Sequence, residues 1–72
     1  MKIISAKLLG VKNIHSEKNG KDYQQLHVVY KDDNVNGDAV AILFREKDET
    51  IYRIGDSVSF GWVNYKPVLI DK

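Results

Sequence analysis

Two Asn-Gly dipeptides, Asn19-Gly20 and Asn36-Gly37, interrupt runs of alternating apolar and polar residues. No other feature restricts the fold as tightly. Both residue types tolerate the positive φ that a type I′ turn requires, so each dipeptide marks a β-hairpin. The first lies in Lys18-Asn19-Gly20-Lys21-Asp22-Tyr23, which puts two lysines and a ring beside one turn. Charge for phosphates and a ring for bases are the two means by which a protein grips a single-stranded nucleic acid. An ordinary solvated turn has the same composition.

Alternation divides the chain into five short strands. The first runs from about Lys2 to Ile14, with Ile4, Ala6 and Leu8 on one face and Ile3, Leu9 and Val11 on the other. The apolar phase changes at Leu8-Leu9-Gly10, and Gly10 predicts a bulge or bend there. The second, about Asp22 to Lys31, sets Leu26, Val28 and Tyr30 against Tyr23, Gln25, His27 and Val29. Asp33 to Gly37 is a hairpin loop. In the third strand, Asp38 to Arg45, the larger side chains Val40, Ile42 and Phe44 are expected to face the core, leaving Arg45 toward solvent. Glu46 to Thr50 breaks the pattern, and one helical turn is allowed through Ile51-Tyr52-Arg53-Ile54. Ser57 to Val63 and Pro67 to Asp71 complete the set, with Val58, Phe60 and Trp62 sharing a face and proline at a strand start. The expected fold is all-β: residues 1–72 as one domain, a small five-stranded OB-like barrel, closed or nearly so.

A chain of 72 residues buries little apolar surface, and without cysteine it has no disulfide or thiolate zinc site to brace it. Closing the sheet or pairing two copies protects the core and the strand edges, so a homodimer is expected. No apolar run approaches the roughly 20 residues of a membrane span. Met1 to Lys7 is too short and too charged for a signal peptide, which makes a cytoplasmic protein the expectation. The formal net charge is only +1, but residues 1–21 carry +4, residues 22–50 carry −4 and the remainder +1. That asymmetry can build a basic face on a nearly neutral protein.

Other motifs lead nowhere chemical. Asp32 to Gly37 matches the opening of a calcium loop, but its twelfth position, which needs a bidentate glutamate, is Leu43. His15 and His27 lie on different elements and form no recognisable metal site. No serine stands in a nucleophile's context and no glycine loop cradles phosphate, so neither an enzyme nor a cofactor is expected.

The order Asn19-Gly20-Lys21-Asp22-Tyr23-Gln24, then Gly55-Asp56-Ser57-Val58-Ser59-Phe60, then Lys66 to Lys72 resembles small OB-fold single-stranded DNA-binding proteins of the filamentous-phage gene V type. The resemblance covers most of the chain in pattern and is specific around residues 19–23 and 55–60. It implies a five-stranded barrel that coats single strands as a dimer, in replication, recombination or transfer of a phage or mobile element. It carries binding roles to Lys18, Lys21, Tyr23 and, more loosely, Tyr30. Gly61 to Lys66 is too short for the long later hairpin that helps form the family's dimer.

The residues themselves add Lys66, Lys12 and Arg45 as phosphate contacts, and Tyr65 and Trp62 as stacking platforms, with Trp62 equally placed to lid the barrel. Phe44 and Phe60 are assigned to the core, and Tyr52 to capping it. Single-stranded DNA is the expected partner, with RNA open because stacking and phosphate contacts do not read the 2′-hydroxyl. The other expectation is an SH3-like or OB-like protein-interaction or assembly module that uses a strand edge and the same rings.

Overall fold

A computed structural model describes residues 2–70. Five strands form one antiparallel sheet: β1 Ile4–His15, β2 Asp22–Asp32, β3 Gly37–Glu46, β4 Ser57–Val63 and β5 Lys66–Leu69, in the order β3-β2-β1-β4-β5. The Asp71 end of the last expected strand lies outside the described residues. No helix among the described residues is long and apolar enough to cross a membrane.

β1 is the shared strand. It pairs with β2 from His15↔Asp22 to Lys7↔Val29, and with β4 from Lys7↔Ser57 to Ile4↔Phe60. The expected bulge is present: Leu8 faces Val28 and Gly10 faces His27, so Leu9 has no partner. An unopposed residue bends its strand and increases the local twist, which curls the sheet around its inner face. Leu8 also bonds the far side, donating N–H to the Asp56 carbonyl at 2.8 Å and accepting from the Gly55 N–H at 2.8 Å.

The inner face holds Ala6, Leu8, Leu26, Val28, Tyr30, Ala41, Leu43, Val58 and Phe60, all buried. Phe60 meets Tyr30 edge-on at 5.1 Å and Trp62 at 5.8 Å. Above this apolar layer, Asn13, Gln24 and Arg45 stand in one cross-strand row. Gln24 donates to the Asn13 side-chain oxygen at 3.1 Å and accepts from Arg45 at 3.4 Å, so its burial leaves no polar group unsatisfied.

Three expectations are corrected. β3 faces the other way: Leu43 and Ala41 are buried, while Val40, Ile42 and Phe44 are exposed. The loop between β2 and β3 holds four residues, which places Leu26 opposite Leu43 and Val28 opposite Ala41. Side-chain size does not override that register: Leu43 is fully buried while the larger Phe44 faces out. The helical turn near residue 51 is absent. Asp48 accepts the Thr50 N–H at 2.7 Å and Asp56 accepts the Arg53 N–H at 2.8 Å, diverting donors a helix would use. A turn with Gly55 at φ +93° then leads into β4. Finally, the sheet is not closed. Its edge strands β3 and β5 approach each other, but no ladder joins them, and β5 with four residues supplies few backbone groups for one.

The reversed face of β3 makes a direct test. Leu43→Ala should cost about 2–5 kcal/mol by urea unfolding, as a buried leucine does. Phe44→Ala should stay within about 0.5 kcal/mol, as surface changes do. The opposite ranking would restore the size-based orientation.

Candidate nucleic-acid interface

The β1–β2 loop is longer than its Asn-Gly suggests: six residues, Ser16 to Lys21, separate the paired His15 and Asp22, so it is not a two-residue type I′ turn. His15 and Asp22 close its neck through a 2.6 Å side-chain hydrogen bond. Above them Ser16 donates to the Lys21 carbonyl and Gly20 to the Ser16 carbonyl, each at 2.9 Å. Only Gly20, at φ +71°, takes the left-handed conformation there. Asn19 bridges the tip to β2, accepting the Lys21 N–H at 3.0 Å and donating to the Tyr23 hydroxyl at 2.9 Å. Lys18 and Lys21 are exposed, and Lys21 lies 3.6 Å from Glu46 at the end of β3. Tyr23 is half-buried on the outer face.

That outer face carries what the sequence reading missed. Lys12, Gln25 and Phe44 are direct neighbours across β1, β2 and β3. The Phe44 ring is 64% exposed, one diagonal step from Tyr23, a separation of roughly 7–8 Å in a sheet. Below it lie the His27–Ile42 and Val29–Val40 pairs. The loop length decides it: four residues between the paired Asp32 and Gly37 set the even-numbered residues of β2 against the odd-numbered residues of β3. Leu26, Val28 and Tyr30 therefore had to share a face with Leu43, not with Phe44.

The genuine two-residue hairpin is the last one. Val63 pairs with Lys66, and Asn64 and Tyr65 between them adopt φ 50° and 66°. Both central residues left-handed is the type I′ requirement. Asparagine accepts this conformation, but a tyrosine there costs about 1–2 kcal/mol relative to glycine. Tyr65 is 100% exposed, so no packing compensates it. Trp62, 45% exposed, and Asn64 form an open surface with it, and Lys66 follows.

Two expected contacts are already engaged. The Arg45 side chain is only 9% exposed; it pairs with Asp48 and lies 4.9 Å over the Tyr52 ring. It caps the inner face instead of reaching solvent. Tyr30 is 9% exposed with its ring against Phe60, so it offers no stacking surface. Burial, with a smaller push from the Asp32 carboxylate, raises its phenol above the usual range. Tyr52 packs against the core beneath Arg45, as a capping residue should.

The remaining candidates fall into two groups at opposite ends of β1. Tyr23 sits opposite Ile14, whereas Phe60, two residues before Trp62, sits opposite Ile4. Ten residues of strand lie between them, roughly 30 Å measured along the chain. The outer face of β2 and β3, with Phe44 on it, spans the interval.

The hydrogen bond from Arg45, reinforced by the Thr50 N–H, lowers the Asp48 carboxyl from 3.8 to about 2. A folded value below the unfolded one means this contribution to stability is complete above the unfolded value and is lost as pH falls from 3.8 toward 2. Asp48→Asn should remove that part of the acid dependence of the urea midpoint; an unchanged profile would show that the pair does not hold Arg45 in place.

No protein-family model, curated protein or solved structure matches this chain, so any functional reading rests on the placement of its rings and cations.

Proposed function

We propose that this chain binds single-stranded DNA without reading a fixed sequence, as a partly open OB-type barrel. In a sheet ordered β3-β2-β1-β4-β5 with antiparallel neighbours, β3 and β5 run parallel, and they approach each other at the two edges. Adding that last pairing would produce the OB strand order, whose binding surface is the β2–β3 face flanked by the β1–β2 and β4–β5 loops. Three exposed rings, the half-buried Tyr23 and four of the exposed lysines lie in those places: Lys18 and Lys21 on the first loop, Tyr23 and Phe44 with Lys12 on the face, and Trp62, Tyr65 and Lys66 at the last turn.

The observation that carries the proposal is Tyr65. A fully exposed ring is held in a left-handed conformation that glycine would adopt without cost. Strain retained where no packing repays it points to a use for the side chain. A base stacked on such a ring is worth about 1–3 kcal/mol.

Anisotropy of a labelled oligothymidine tests this. With phosphate contacts from Lys12, Lys18, Lys21 and Lys66, log K should fall against log salt with a slope of about −3, and Lys21→Ala should reduce its magnitude by about 0.7. Phe44→Ala and Tyr65→Ala should each weaken binding by about 1–3 kcal/mol. Tyr65→Gly should do the same while leaving thermal stability equal or higher. Absence of binding at low salt would overturn the reading, and equal affinity for oligouridine would widen it to RNA.

The exposed stripe Val40, Ile42 and Phe44 favours a second reading, a protein-interaction module in which this face meets an apolar partner or a second copy. Such a contact would be insensitive to salt.

A further inference from the structure

The sheet splits where β1 changes partners. The ladder with β2 ends at Lys7↔Val29, and Lys7 is also the first residue paired with β4. Beyond that row the facing edges of β1 and β2 diverge without a ladder between them. The split opens into a groove of about 560 Å³, within the size range of small-ligand sites. Ser5, Tyr30 and Trp62 are among the residues that line it. The Trp62 ring is held edge-on by Phe60 at 5.8 Å, which fixes its plane while leaving it half exposed.

The charge along the groove has two signs. Lys2 and Lys31 stand on it and form no ion pair among the described residues. Asp32 and Asp33 stand on it as well. Asp32 commits one carboxylate oxygen to the Asn34 N–H at 2.9 Å. A uniformly anionic ligand would be repelled by the carboxylates, and an apolar one would strand all four charges. A ligand with an anion at one end, a flat ring in the middle and N–H donors on the ring's edge satisfies the whole set. A nucleotide whose base carries an exocyclic amino group has that description: phosphate for the lysines, ring for Trp62, amino group for a carboxylate. Carboxylates accept from the cytosine amino group, whereas thymine presents a carbonyl at the same position.

We propose that this groove is a single-nucleotide site that prefers cytosine to thymine. It rests on the strand-binding reading for its physiological role, giving an otherwise sequence-tolerant surface one position of base preference. Its chemistry is independent of that reading.

The experiment is a titration of ¹⁵N-labelled protein with deoxycytidine monophosphate and, separately, thymidine monophosphate, beside the oligothymidine anisotropy. Deoxycytidine monophosphate should shift the Trp62 side-chain N–H and the Ser5 and Lys31 amides. It should bind at least about fivefold more tightly than thymidine monophosphate, the lower end of what one good base-edge contact discriminates. Asp33→Asn, in the exposed loop, or Asp32→Asn, at the end of β2, should bring the two affinities together, and Trp62→Leu should abolish the shifts at Ser5 and Lys31. Equal affinities in the unaltered protein, shifts confined to Phe44 and its neighbours, or a preference that survives in both aspartate variants would overturn the site. A silent groove with intact oligothymidine binding would refute the groove alone. A responsive groove without oligonucleotide binding would support it and refute the strand-binding reading.

Discussion

The structure depends on one strand being shared unequally. β1 is bonded to β2 over its distal part and to β4 over its proximal part, with only Lys7 common to the two ladders. A straight strand would carry both partners in one flat sheet and leave the inner side chains facing water. The unopposed Leu9 prevents this by bending β1 just past the changeover. The bend brings Val58 and Phe60 on one arm over Leu26, Val28 and Leu43 on the other. The same changeover parts β1 from β2 at the opposite end, so the feature that makes the core also makes the groove beside Trp62.

The core that results is small, and polar chemistry closes one end of it. Asn13, Gln24 and Arg45 span three strands in a single row. Arg45 extends the row to Asp48 and over Tyr52, fixing the start of the long β3–β4 connection by charge and stacking in place of a helix. Removing the arginine would leave Gln24 short of a partner in a buried position, the circumstance in which a lost hydrogen bond costs most. At the other end the lid is aromatic, with Tyr30, Phe60 and Trp62 edge to face. The large inner rings there are balanced by Ala6 and Ala41, which lets the two arms approach.

Rings are otherwise spent on the surface. Phe44 and Tyr65 lie outside the core, one on an open sheet face and one on a strained turn. Two wholly different backbone settings thus present aromatic surface to solvent, joined by a face that also carries Lys12. Lysines flank both ends, while the acidic residues concentrate at the β2–β3 loop and along the start of the β3–β4 connection. A charge pattern broken up in this way suits a ligand gripped at several separated points more than one drawn to a single basic patch.

Local chemistry by itself determined the strands and most of their faces. Alternation located all five, the phase change at Leu8-Leu9-Gly10 located the bulge, and the Leu26, Val28 and Tyr30 face followed from period-two patterning. The exposed lysines of the first loop and the exposed Tyr65 were legible for the same reason, since a residue at a turn tip has no neighbour that can bury it. Tertiary structure decided whatever depended on a partner strand. β3 is apolar on both faces, so its own pattern could not orient it; only the register against β2 turned Leu43 inward and Phe44 outward. Arg45 went inward by that register and found Gln24, Asp48 and Tyr52, none of which its own strand predicts. The open edge between β3 and β5 and the split beside Trp62 arise from how far each ladder extends. That length is set by pairing between distant segments and is not written in either segment alone.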